Sequence, residues 1–148
     1  MKASSLGVAL FVAVAVGCSD SDNSTGPAST SDFVGDWLAS SYVVTNIANT
    51  SQSEDLTALG MTLSITFTET TYSGTANFTG EATETFSGTY TISGNQIILM
   101  ETGELETDTM AYTLSGNTMT LSGLDEEYDF DDDGVHDPAS WLMVMEKQ

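Results

Sequence analysis

Asp129, Asp131 and Asp133, followed by Gly134, place a carboxylate at every second position in the manner of a calcium loop. In such loops the carboxylates converge on one hard cation, and the glycine permits a sharp turn. Val135 would then offer its backbone carbonyl, and Asp137 would take the ninth position, directly or through water. The twelfth position, which an EF-hand fills with Glu, is Ser140, so a complete EF-hand is excluded. Eight of the 22 acidic residues fall within 125–137. The same run also reads as a solvated hairpin turn, with Tyr128 and Phe130 directed inward and the Asp side chains outward. Calcium binding is one expectation for this loop, and an ordinary acidic turn is the other.

Catalytic chemistry has little to work with. The chain holds one Cys and one His, which excludes a disulfide framework and a Cys/His zinc site. His136 lies in a run of Asp and follows no nucleophile motif. Carboxylates are plentiful, but no Arg is present to tune a pair of them. We therefore expect no enzyme. The aromatic residues Trp37, Phe67, Tyr72, Phe78, Phe86, Tyr90 and Tyr112 could line a cavity for a small hydrophobic ligand, or could simply fill a core. Trp37, Phe67, Tyr90 and Tyr112 are the candidate ligand contacts.

Charge narrows the partners. Two basic residues stand against 22 acids, for a formal net charge of −20. Nucleic acid and anionic lipid headgroups are excluded as electrostatic partners, because both need clustered Lys and Arg. Apolar residues make up 40% of the 148, enough for a core in one domain. The expected partners are a small hydrophobic ligand or a surface partner protein, bound by a monomer.

Met1-Lys2 and the apolar run from Leu6 to Gly17 fit a secretory signal, being too short to span a bilayer core of about 30 Å. Ala15-Val16-Gly17-Cys18 resembles a bacterial lipobox. That resemblance implies removal of residues 1–17, acylation of Cys18 and anchoring in the bacterial cell envelope, on the outer membrane, facing the periplasm or exposed at the surface. Residues 18–32, rich in Ser, Asp and Thr, read as a flexible tether.

From Asp32 onward the patterning is that of strands, with no helical stretch expected. Residues alternate between apolar and polar from Met61 to Phe67. Similar runs occupy Thr71–Phe78, Thr85–Ile92, Gln96–Met100, Thr109–Leu114, Thr118–Leu121, Glu127–Phe130 and Ala139–Glu146, with Trp37–Asn46 at the front. The polar stretch from Ala48 to Ala58 is the one long loop. Two segments repeat: Tyr90-Thr91-Ile92-Ser93-Gly94-Asn95-Gln96-Ile97-Ile98-Leu99 matches Tyr112-Thr113-Leu114-Ser115-Gly116-Asn117-Thr118-Met119-Thr120-Leu121. Gly-Asn between such runs is a two-residue hairpin turn. It sets Ile92 opposite Ile97, Tyr90 opposite Leu99, Leu114 opposite Met119 and Tyr112 opposite Leu121. The expected fold is all-β, an antiparallel up-and-down meander closing into a barrel of about eight to nine strands.

Gly35-Asp36-Trp37 resembles the G-x-W signature of lipocalins, and the run from Phe33 to the C-terminus resembles bacterial lipocalin-like lipoprotein domains. The resemblance implies a lipocalin-like barrel over residues 33–148, acting as a non-catalytic binding or structural module. Lipocalins often pack an Arg near the last strand onto the Trp; none is present, so Trp37 has to be covered another way.

Overall fold

The computed structural model describes residues 28–148; Cys18, the signal segment and most of the tether lie outside them. One helical turn, α1 (Thr30–Phe33), precedes nine strands. These are β1 (Gly35–Asn46), β2 (Ser53–Asp55), β3 (Thr62–Phe67), β4 (Thr71–Asn77) and β5 (Glu84–Ser93), followed by β6 (Gln96–Glu101), β7 (Asp108–Ser115), β8 (Thr118–Tyr128) and β9 (Asp137–Lys147). All pairings are antiparallel, and β9 returns to pair with β1, so eight strands close into a barrel. The short β2 lies outside the closed ring, against the C-terminal half of β1. Closure removes the free edges that a sheet with one apolar face would otherwise expose.

Both repeated hairpins have the register that the Gly-Asn turns dictate: Ile92 faces Ile97, Tyr90 faces Leu99, Leu114 faces Met119 and Tyr112 faces Leu121. Gly94 and Gly116 have φ near 60°, whereas their Asn neighbours keep negative φ. The turns thus use glycine alone at the first central position. Ile97, Met119 and Leu121 are buried beside Tyr90 and Tyr112, while Thr113 pairs with Thr120 on the wet face.

The antiparallel path sorts the connections by length. The short turns at 68–70, 94–95 and 116–117 share one end with both ends of the described chain. The longer connections at 47–61, 78–83, 102–107 and 129–136 share the other. We refer to these as the closed end and the loop end.

Three details differ from the sequence expectation. Thr118–Leu121 and Glu127–Phe130 are parts of one strand, β8, whose alternation is broken by a register shift between Gly123 and Glu126. The loop expected over Ala48–Ala58 contains β2, whose Ser-Glu-Asp sequence has no strand pattern of its own. The helical turn α1 overlaps the start of the segment expected to be purely strand. Asp32 builds it by accepting hydrogen bonds from the Ser29 backbone N–H (2.8 Å) and hydroxyl (3.0 Å). Ala28 already packs against the core, so the chain joins the fold just before α1.

Asp55 holds β2 in place. Its carboxylate accepts hydrogen bonds from the Thr57 hydroxyl (2.6 Å), the Ser41 hydroxyl (2.9 Å), the Thr57 N–H (3.0 Å) and the Tyr42 N–H (3.2 Å). Led by the Thr57 hydroxyl and resisted by partial desolvation, these donors pull its pKa from 3.8 to about 2. A carboxyl depressed in the folded state stabilises the fold fully above its unfolded value, and that contribution disappears as pH falls through its folded value. Asp55→Asn should therefore be less stable than the native chain at pH 7, with the gap closing between 3.8 and about 2 in urea melts. A gap unchanged at pH 2 would contradict this account.

Candidate functional site

The four candidate ligand contacts are buried at the closed end. Trp37 is 1% exposed, and its indole N–H donates to the Phe33 carbonyl at 2.7 Å. Phe33, delivered by α1, fills the centre of this end. Its ring lies 4.9 Å from Tyr112, 6.1 Å from Phe67 and 6.2 Å from Tyr90, centroid to centroid. Tyr90 donates its hydroxyl to the Thr68 carbonyl at 2.7 Å, and Tyr112 donates to the Gly94 carbonyl at 3.0 Å. Phe67, Tyr90 and Tyr112 thus pack their rings around Phe33, and Trp37 is tied to it by its hydrogen bond, sealing this end.

Lys147 covers Trp37 where lipocalins often use Arg. Its Nζ stands 5.3 Å from the Trp37 ring centroid and donates to the Asp32 carbonyl at 3.3 Å. The inward phase of β9 (Ala139, Trp141, Met143, Met145, Lys147) places it there, an available signal that the sequence reading missed.

From Phe67 an aromatic track leads toward the loop end. Tyr72 lies 6.3 Å from Phe67, and Phe86 lies 6.3 Å from Tyr72. Both sit on inward positions of β4 and β5, but Phe86 is half-buried where Phe67 and Tyr72 are buried. Phe78, the remaining member of the aromatic set, follows β4 and is exposed. Two open hollows mark the outer wall instead. One, of about 390 Å³, is lined by the hydroxyls of β3, β4 and β5, including Ser64, Ser73 and Thr85. The other, of about 630 Å³, runs beside Ser122, Leu124 and Leu142.

The acidic loop joins β8 to β9 at the loop end. Carboxylate oxygens of Asp129, Asp131 and Asp133 lie within 4.8 Å of one another. Asp129 also organises the turn, accepting the N–H of Gly134 at 2.9 Å and of Asp133 at 3.2 Å. Desolvation opposes ionisation of Asp129, but the N–H groups of Gly134, Asp131, Asp133 and Asp132 together hold its pKa below the ordinary value. Val135 donates its N–H to the Asp133 carboxylate at 2.7 Å. Asp137 starts β9 opposite Tyr128 and is outside the converging trio. His136 is exposed. Tyr128 stacks edge-on with Phe130 at 4.9 Å and donates to Glu54 at 2.7 Å, which ties the acidic loop to β2. With that carboxylate as its main cause, the Tyr128 pKa is pushed up to about 12.

An eight-stranded up-and-down barrel, with a Gly-x-Trp first strand sealed by a cation and loops gathered at the opposite end, defines a lipocalin-like β-barrel. The chain belongs to the lipocalin-like domain family, whose model matches residues 33–121. It is also similar in fold to a lipocalin-like protein from Bacteroides uniformis of known crystal structure, with 17% identity and a TM-score of 0.50. The match covers 79% of this chain and 99% of that one. Among curated proteins none matches. The fold is generally one for binding rather than catalysis.

Proposed function

We propose that the chain is a non-catalytic binding module of the bacterial cell envelope that takes a small hydrophobic ligand into its barrel from the loop end. The observation that carries this reading is the aromatic track from half-buried Phe86 through Tyr72 to the sealed floor at Phe67. An eight-stranded barrel is wide enough for its own side chains or for one small ligand. The sealed floor uses the first option, and this reading assigns the second to the loop-end side of Tyr72 and Phe86. The test is titration of the full chain with N-phenyl-1-naphthylamine, an apolar dye that is uncharged at neutral pH and so is not repelled by an acidic protein. Saturable one-to-one fluorescence enhancement is expected; a linear, unsaturated response would overturn the reading.

The lipobox at Cys18 supports an anchored location, with several acyl chains contributing about 0.8 kcal/mol per buried CH₂. Cys18→Ser should move the protein from the membrane to the soluble fraction without changing its melting temperature. Retention of the variant on washed membranes would remove the anchor from this account.

A second reading rests on the convergence of Asp129, Asp131 and Asp133. Here the loop is a weak calcium site supporting a surface interaction. With Ser140 in place of a bidentate Glu, the expected Kd is on the order of 10⁻⁴–10⁻³ M. Calcium at a hundredfold excess over Kd would add about 2.7 kcal/mol of stability, and magnesium less, because it holds its waters more tightly. Thermal melts at matched ionic strength separate binding from screening. Asp131→Asn with Asp133→Asn should abolish the calcium response, and equal shifts from calcium, magnesium and monovalent salt would make the loop an ordinary acidic turn.

A further inference from the structure

Tyr72 is only 5% exposed, yet no described residue hydrogen-bonds its hydroxyl. Every fully buried side-chain nitrogen or oxygen among the described residues does have a partner, so this hydroxyl reaches accessible space. The strand register shows which residues lie on its row. Phe67, Tyr72, Gly88 and Glu101 form one row across β3, β4, β5 and β6. A side chain at Gly88 would meet the Tyr72 ring, its Cβ standing 2.9 Å from Cε1, and would clash with the Met100 carbonyl oxygen. Bare backbone at that point lets the ring lie across β5 toward Glu101. Asp108 pairs with Leu99, two residues before Glu101, which makes it the diagonal neighbour of Glu101 on the same inward phase. The two carboxylates also raise the Tyr72 pKa, after the larger contribution of burial.

Neither carboxylate has a counter-charge nearby. The only Lys or Arg among the described residues is Lys147, which is held at the closed end by Trp37 and Asp32. Glu101 and Asp108 are exposed, and the loop that joins them carries Leu105, 98% exposed. Three polar side-chain groups without a hydrogen-bond partner among the described residues therefore sit on one row and its diagonal neighbour, next to the rings of Phe67, Tyr72 and Phe86.

We propose that Tyr72, Glu101 and Asp108 recognise an organic cation, a primary ammonium carried on an apolar or aromatic body. This deepens the binding reading above and rests on it. An ammonium has three N–H donors, and each of the two carboxylates and the phenolic oxygen can accept one of them. The apolar body would lie against Phe86 and Tyr72, with Leu105 available to cover it.

The test is calorimetric titration of the full chain at 0.15 M salt, where diffuse attraction to an acidic surface is largely screened. The probes are 2-phenylethylammonium and its neutral counterpart 2-phenylethanol. The ammonium should bind at least ~10-fold more tightly, a difference of about 1.4 kcal/mol. Tyr72→Phe keeps the ring and should lose the preference; Glu101→Gln with Asp108→Asn changes only exposed side chains and should lose it while still binding N-phenyl-1-naphthylamine. Equal affinity for the two probes, or a preference that survives the double variant, overturns the cation site and leaves the barrel reading intact. Failure of both probes while the dye still saturates does the same. Failure of the dye as well overturns both.

Discussion

Replacing Trp37 with Ala is expected to cost the fold about 3–5 kcal/mol, the range for deleting a buried aromatic side chain. Trp37 is nearly inaccessible, and three separate contacts depend on it. Its ring fills the closed end, its indole N–H satisfies the Phe33 carbonyl, and its face carries the Lys147 ammonium. Removal leaves a cavity, a carbonyl without its donor and a cation without its ring. Urea melts of the variant check this, and a loss below about 1 kcal/mol would place Trp37 outside the core in practice. Lys147→Met would isolate the cation–ring contact, whose expected share is about 0.5–1 kcal/mol.

Phe33→Ala should be comparably severe, again about 3–5 kcal/mol. Phe33 is fully buried and touches the rings of Phe67, Tyr90 and Tyr112, although it is held by only a single helical turn. Phe33→Leu retains most of the volume and should cost roughly 1.5 kcal/mol or less. Because the Phe33 carbonyl receives the Trp37 indole, the double variant should depart from additivity by about 0.5–3 kcal/mol. Additive losses would mean that plug and tryptophan act independently. A nearly silent Phe33→Ala would mean that α1 does not seal the barrel.

The hairpins were legible because two facts agree: apolar residues alternate strictly, and Gly-Asn fixes the turn between them. Together they set each cross-strand pair, and the observed register is the one they dictate. β2 was not legible, since Ser53-Glu54-Asp55 has no strand pattern and forms through the donors that Ser41, Tyr42 and Thr57 offer to Asp55. The unity of β8 was hidden by the register shift after Gly123, which breaks the alternation without ending the strand. α1 is too short to display a helical period at all.

At the site, Tyr72 was visible as one of the aromatic set. Its relation to Glu101 follows from continuing the Tyr90–Leu99 pairing one step to Gly88 and Glu101, a step the sequence alone permits. What the sequence does not contain is the shear of the barrel, which decides which residues of neighbouring strands form one row. The acidic loop is the reverse case. Its spacing was evident, and the structure draws Asp129, Asp131 and Asp133 together but leaves Asp137 on β9.

The central claim is that the barrel receives an apolar ligand through its loop end. Nuclear magnetic resonance of the full chain, titrated to saturation with N-phenyl-1-naphthylamine, tests it most directly. The account predicts saturable shifts at Phe86 and Tyr72, while the Trp37 indole N–H at the sealed end keeps its position. Shifts confined to the outer hollows at Ser64 and Leu142, or no saturable shift at any of these residues, would contradict it.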